Sequence, residues 1–112
     1  MPDLALRSAA FLGLFAALAH SFIGERHIFP KLRLEPARLT LLFRAIWHCL
    51  SAGWVAGALL LLSTPREGAK GAILLVAALY GGAALGNAIG TRGRHFGWAV
   101  LAAASLLALA GR

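Results

Sequence analysis

A chain of 112 residues that is 60% apolar and only 13% charged, with a mean hydropathy of +0.77, is not an ordinary water-soluble domain, whose apolar share is about 45–50%. Its 11 Lys and Arg against 4 Asp and Glu give a net charge of +7, which in a soluble protein would point to nucleic acid. Here the basic residues stand between apolar blocks without interleaved aromatics, so they read as orientation signals and headgroup contacts, and nucleic-acid binding is excluded. The single cysteine, Cys49, lies inside an apolar block and rules out an intrachain disulfide.

Four apolar blocks follow one another, each long enough for a hydrocarbon core of about 30 Å. The first spans about 4–23 and is followed by GERHIFPKLRLEPAR, where Pro30 and Pro36 predict a bent connector because each removes a donor and disfavours helix in the residue before it. The second block covers 39–62, and Thr64-Pro65 and Gly68 supply turn chemistry after it. The third covers 71–90, TRGR is a short linker, and the fourth covers 95–110. Alternation of strand period is absent. The expectation is an all-α, integral membrane four-helix bundle, up-down-up-down, forming a single transmembrane domain over 1–112.

Ala17-Leu18-Ala19 before His20 resembles a signal-peptide cleavage site, but Asp3 and the intact Met1 favour a retained span. The side holding the first and third connections carries Arg26, Lys31, Arg33, Arg38, Arg92 and Arg94. The opposite side carries Arg7, Arg66, Lys70 and Arg112. This bias places the long connector in the cytoplasm and both termini outside it; with short loops throughout, the expected home is a bacterial inner membrane.

Helix association in lipid relies on small residues that let backbones approach. Gly82, Gly86 and Gly90 recur every fourth residue, with Ala78 one step earlier, and Gly53 and Gly57 repeat the spacing on the second span. This ridge is expected to pack within the bundle. Its alternative use is a seam for a homodimer or for docking a larger membrane complex, as an accessory or structural subunit.

The polar residues of the spans gather in one leaflet. His20 lies a turn before the end of the first span, His48 about a turn inside the second beyond a snorkelling Arg44, Asn87 a turn before the end of the third, and His95 opens the fourth. Glu25 lies just beyond the first span. Gly13, Ala17, His20, Gly24 and His27 recur at helical spacing, so His20 is expected to look inward, and Tyr80 shares the face of Asn87. Three readings stay open. In one, His20, His48 and His95, with Glu25 or water as a fourth ligand, bind a zinc, copper or iron ion, since imidazole suits all of these; Asn87, Ser21 or Ser51 would hold the second ring nitrogens. In another, His20 and His48 are axial ligands of a b-type haem, with Arg44, Arg94 or Lys31 at its propionates. In the third, the histidines, Asn87, Tyr80 and the hydroxyls only tie helices together. Proton relay through a histidine beside Glu25 is a variant, although no carboxylate lies deep in a span. Trp47 and Trp98 read as interfacial anchors and Trp54 as a mid-span residue packed on glycine. No catalytic motif is recognised: Gly-x-Ser-x-Gly, a phosphate loop and paired buried carboxylates are all missing from the sequence.

The segments HSFIGERHIF (20–29), RAIWHCLSAGW (44–54) and GRHFGWAVLAA (93–103) resemble those of small uncharacterised four-span bacterial membrane proteins with a His-Ser-x-x-Gly-Glu element after the first span and a Trp-His pair in the second. The resemblance covers most of the chain. It implies that His20, Gly24, Glu25, Trp47, His48 and His95 belong to the matching elements, and it suggests a site without naming an occupant.

Overall fold

The computed structural model describes residues 2–65 and 67–112; Met1, and Arg66 of the charge count, lie outside the described residues. Alanine and leucine, strong helix formers, dominate the spans, and in lipid a helix is the one open-chain element that satisfies every backbone group by itself. The described residues form α1 (Pro2–Ile23), α2 (Arg38–Ser63), α3 (Lys70–Thr91) and α4 (Gly97–Ala110), with no strand among them. α1 packs on α2 and α4, and α3 packs on α4, while α2 and α3 touch less extensively than these neighbours. The result is the expected antiparallel four-helix membrane bundle.

Two boundaries differ from the sequence expectation. The first helix does not stop at Ile23: it winds on through a π turn at Gly24–Ile28 and a 3-10 turn at Phe29–Lys31. The wide turn closes with the Phe29 N–H bonded to the Gly24 carbonyl. Pro30 has no N–H to offer Arg26 and its ring would crowd that carbonyl, so an extra residue in the turn relieves the conflict, and the expected bent connector begins as a widened helical turn. The fourth helix starts at Gly97 rather than His95. Three helices are long and apolar enough to cross a membrane, but α4, at 14 residues, rises only about 21 Å.

The outside of the bundle is its apolar side. Phe11, Phe15, Leu18 and Phe22 form an exposed stripe along α1, and Leu75, Leu85, Ile89 and Leu106 are exposed on α3 and α4. A continuous apolar coat of this kind suits lipid and would be a liability in water. The inside is lined by small residues: Ala9, Ala10, Ala16 and Ala17 of α1 and Ala104 and Ala108 of α4 are all buried.

The glycine ridge is not part of that interior. A Cβ added at Gly53, Gly82, Gly86 or Gly90 would meet nothing within 4 Å, which corrects the expectation that these residues pack inside the bundle. The close approaches are elsewhere. Gly13 and Gly57 sit against the Tyr80 ring, and a Cβ at Gly13 would run into its hydroxyl. Gly81 lies beside Ser105, whose Oγ donates to the Ala77 carbonyl at 2.7 Å and ties α4 to α3. Packing chose the glycines facing the large side chain, and the four-residue repeat fell on the opposite side.

α2 ends where Thr64 turns extended ahead of Pro65, as the residue before a proline prefers. α3 ends with Arg92 and Gly93 both at positive φ, 53° and 72°, and the Gly93 N–H returns to the Ala88 carbonyl at 2.8 Å. This left-handed cap satisfies the last carbonyls. Trp98 is exposed near the start of α4, and its Nε1 donates to the Gly93 carbonyl at 3.0 Å and pins the turn. This turn carries His95 back toward the bundle.

Candidate functional site

The polar end is assembled from α1 and α2. The π turn presents Glu25 to α2, where residues 44, 47, 48, 51 and 54 recur at spacings of three and four and so share one side of the helix. Glu25 takes a two-pronged contact from Arg44, with Nε to Oε1 at 2.8 Å and a second contact from Nη2 to Oε2. Its Oε1 also meets His48 Nε2 at 2.6 Å. Gly24 is required beside it, since a Cβ there would enter the indole of Trp47.

From His48 the contacts run inward without interruption. His48 Nδ1 and Ser21 Oγ are 2.9 Å apart, Ser21 Oγ and Ser51 Oγ 2.8 Å, and Ser51 Oγ and His20 Nδ1 2.9 Å. The chain Glu25–His48–Ser21–Ser51–His20 thus crosses between α1 and α2 three times and links a half-exposed carboxylate to an imidazole set in the bundle. His20 is held as a ring within rings: Trp47 stacks on it at 4.0 Å and 7°, and Trp54 meets it edge-on at 4.7 Å. Trp47 Nε1 further donates to the His20 backbone carbonyl at 2.7 Å. Both tryptophans therefore belong to the site. Trp47 is more than an interfacial anchor, and Trp54 meets an imidazole edge-on.

Behind His20 the four helices leave a partly open cavity of about 130 Å³. His20, Trp47, Trp54, Asn87, His95 and Leu101 are among its walls, so the structure does bring residues of all four helices to one place. Its surface is mostly apolar. Two polar atoms of its wall residues are buried without a hydrogen-bond partner, Trp54 Nε1, a donor, and Asn87 Oδ1, an acceptor. His95 stands in the turn before α4, where its Nδ1 accepts from the Gly97 N–H at 3.0 Å. That bond satisfies one of the free amides at the start of the helix and leaves the ring proton on Nε2.

Against the sequence expectations the assembly is only partly as foreseen. His20 looks inward and Ser21 and Ser51 bond the imidazoles. Glu25 and Arg44 act together at the rim, whereas His27 is exposed on the π turn. Tyr80, on the face of Asn87, stands apart from the polar chain: its ring is wholly buried and its hydroxyl donates to the Trp54 carbonyl at 2.9 Å. His20, His48, His95 and Glu25 are not gathered around a point, and among the described residues no group of three or more His, Cys, Asp and Glu is placed to hold a metal ion. Both ring nitrogens of His48 are engaged, by Ser21 and by Glu25, so service as an axial haem ligand would require breaking one of these contacts, and Arg44 is already committed to Glu25. The role of Trp47 and Trp54 was open to the sequence in one respect, since 47, 51 and 54 share a helical face with each other.

Fold and site together define a small integral membrane four-helix protein with a hydrogen-bonded polar chain at one end of the bundle. No family model, curated protein or solved structure matches the chain.

Proposed function

We propose that this is a proton-handling membrane protein, in which the chain Glu25–His48–Ser21–Ser51–His20 carries protons between the surface of the bundle and a small molecule held in the cavity. The observation that carries the reading is the unbroken run of contacts from 2.6 to 2.9 Å. Each member can both give and take a proton.

The chain admits two consistent arrangements. When Ser21 donates to Ser51, Ser51 donates to His20 Nδ1, and His48 donates from both nitrogens, to Ser21 and to Glu25; His48 is then an imidazolium beside a carboxylate. Passing one proton along each bond in turn, from His48 Nδ1 to Ser21, from Ser21 to Ser51 and from Ser51 to His20 Nδ1, leaves His48 neutral and His20 charged. His20 can then release the proton on Nε2 to an occupant of the cavity. The reverse sequence delivers a proton to Glu25. The carboxylate, with Arg44 beside it, sets the charge balance at the outer end, and the two tryptophans keep the inner ring from swinging out of line.

By the excess of Lys and Arg on the side of the long connector, the outer end of this chain faces the cytoplasm of a bacterium, across its inner membrane, with both termini on the far side. Reporter fusions at the two termini and in the connector test that orientation.

The relay is tested by ¹⁵N-histidine resonance in phospholipid nanodiscs across a pH series. The tautomer of His20 is expected to switch in step with the titration of His48. Ser51→Ala and Ser21→Ala, which each remove one hydroxyl from the chain, are expected to uncouple the two rings. Independent titration of His20 and His48 in the unaltered protein would refute the relay.

A further inference from the structure

The cavity itself states what it would hold. A volume of about 130 Å³ is close to the roughly 150 Å³ of apolar space known to admit one benzene ring. Its walls add aromatic faces, the Trp47–His20 stack and the Trp54 edge, against which a planar ring packs well. An apolar ring alone would leave two buried polar atoms of the wall residues unpaired. Trp54, only 5% exposed, has a donor without a partner, and Asn87 has a buried acceptor without one. They belong to different helices, α2 and α3. With Nδ1 bound to Ser51, His20 keeps Nε2 as the nitrogen that can meet an occupant.

We infer that the cavity binds a hydroxylated aromatic ring, the reduced headgroup of a lipid-borne quinol. The reason is one of hydrogen-bond polarity. A ring hydroxyl both donates and accepts, so a quinol can give a hydrogen bond to Asn87 Oδ1 and take one from Trp54 Nε1–H. The oxidised ring carries only carbonyl oxygens; it satisfies the indole and leaves the amide oxygen buried and unpaired, which is costly. The site therefore discriminates between two rings of nearly identical shape by proton content. A lipid-borne source fits a cavity formed between membrane helices. The inference deepens the proton-relay reading, because the ring hydroxyl is the proton that the chain from His20 would exchange.

The test uses full-length protein in nanodiscs, labelled with ¹⁵N in tryptophan and histidine and kept under ascorbate where the reduced ring is added. The probes are methyl-p-hydroquinone, methyl-p-benzoquinone, toluene, and a p-hydroquinone bearing one isoprenoid unit. The Trp54 indole resonance, assigned with Trp54→Phe, is expected to move saturably with methyl-p-hydroquinone at a concentration at least tenfold below that needed for the quinone. Asn87→Val should bring the two within about twofold, and toluene should leave the indole N–H without a hydrogen-bond shift. At equal membrane mole fraction the isoprenoid probe should bind more tightly than the tail-free one; equal binding would assign the site to a soluble phenol and overturn the lipid source. No saturable shift of any of the three indole signals, or equal response of all of them to quinol and quinone in the unaltered protein, would overturn the inference, and neither result depends on the folding of a variant. The histidine signals of the same samples report the relay separately. Coupled histidines with an unmoved indole would leave the relay standing and remove the quinol, whereas uncoupled histidines with a shifted indole would do the opposite.

Discussion

The middle of the bundle and its polar end meet at one residue, Trp54, and treat their polar atoms in opposite ways. On the mid-bundle side the Trp54 carbonyl accepts from Tyr80, a fully buried phenol seated against Gly13 and Gly57. On the other side the indole Nε1 of the same residue faces no partner, and neither does Asn87 Oδ1. In a medium with no water to satisfy them, polar groups at a closed packing centre are paired internally. Where they are left unpaired, around a cavity and at the end of a chain of titratable side chains, the arrangement is open to a ligand. The difference separates what holds the helices together from what the protein uses.

The sharpest way to break that contrast is to overfill the centre. Gly13→Leu drives a side chain into the Tyr80 ring, which has no free space because Gly57 of α2 lies against it as well. Overpacking of this kind costs about 1–3 kcal/mol or more, and a site where the obstacle is a wholly buried ring lies at the upper end. The expected outcome is a large fall in the midpoint of unfolding in detergent-denaturant titrations, together with loss of the cavity. A midpoint within error of the unaltered protein would show that Tyr80 is not the centre of the packing.

Trp47→Leu attacks the polar end instead. It removes the stack on His20 and the bond to its backbone carbonyl, together worth about 1–2 kcal/mol. The unfolding midpoint should fall less than for Gly13→Leu, while the His20 resonances should broaden as the ring gains freedom. A sharp, unmoved His20 signal would deny Trp47 its positioning role. Tyr80→Phe is milder again. It keeps the ring and deletes one interhelical hydrogen bond, for which the average in membrane bundles is about 0.6 kcal/mol, and the Trp54 carbonyl retains its place in the helix. The His20–His48 coupling should survive it, because the phenol belongs to the packing and not to the chain.

How much of this was legible beforehand follows from the kind of interaction involved. Helix number, the antiparallel order and the gathering of His20, His48, Asn87 and His95 at one end are consequences of block length and position, which a sequence displays directly. The inward face of α1 was also legible, because Gly13, Ala17, His20 and Gly24 share a stripe while Phe11, Phe15, Leu18 and Phe22 share the opposite one. The π turn was not, since a proline at position 30 predicts a conflict without saying whether the chain breaks or widens to absorb it. Nor was the order of the hydrogen-bonded chain: Ser21 and Ser51 are ordinary helix residues until two helices bring them within 2.8 Å of each other. The engagement of both His48 nitrogens, which turns an apparent ligand into a link, depends on the same pairing of α1 with α2.

The smallest expected effect concerns the feature the sequence made most conspicuous. Gly82, Gly86 and Gly90 fall four residues apart, and such spacing in lipid commonly marks a close helix crossing. Yet all three are exposed and open around Cβ, so a larger side chain there projects from the bundle rather than into it. The double substitution Gly82→Leu, Gly86→Leu should leave the unfolding midpoint of the isolated protein nearly unchanged or slightly raised, since leucine has the higher helix propensity, by about 1 kcal/mol per glycine replaced at most. Loss of the bundle would place these residues inside the core and contradict the packing described above. Unchanged stability of the isolated bundle would show that its close helix approaches, such as those of Gly13 and Gly57 on Tyr80 and of Gly81 on Ser105, do not involve this ridge, and that regular spacing of small residues identifies a face of a helix without saying which face the fold buries.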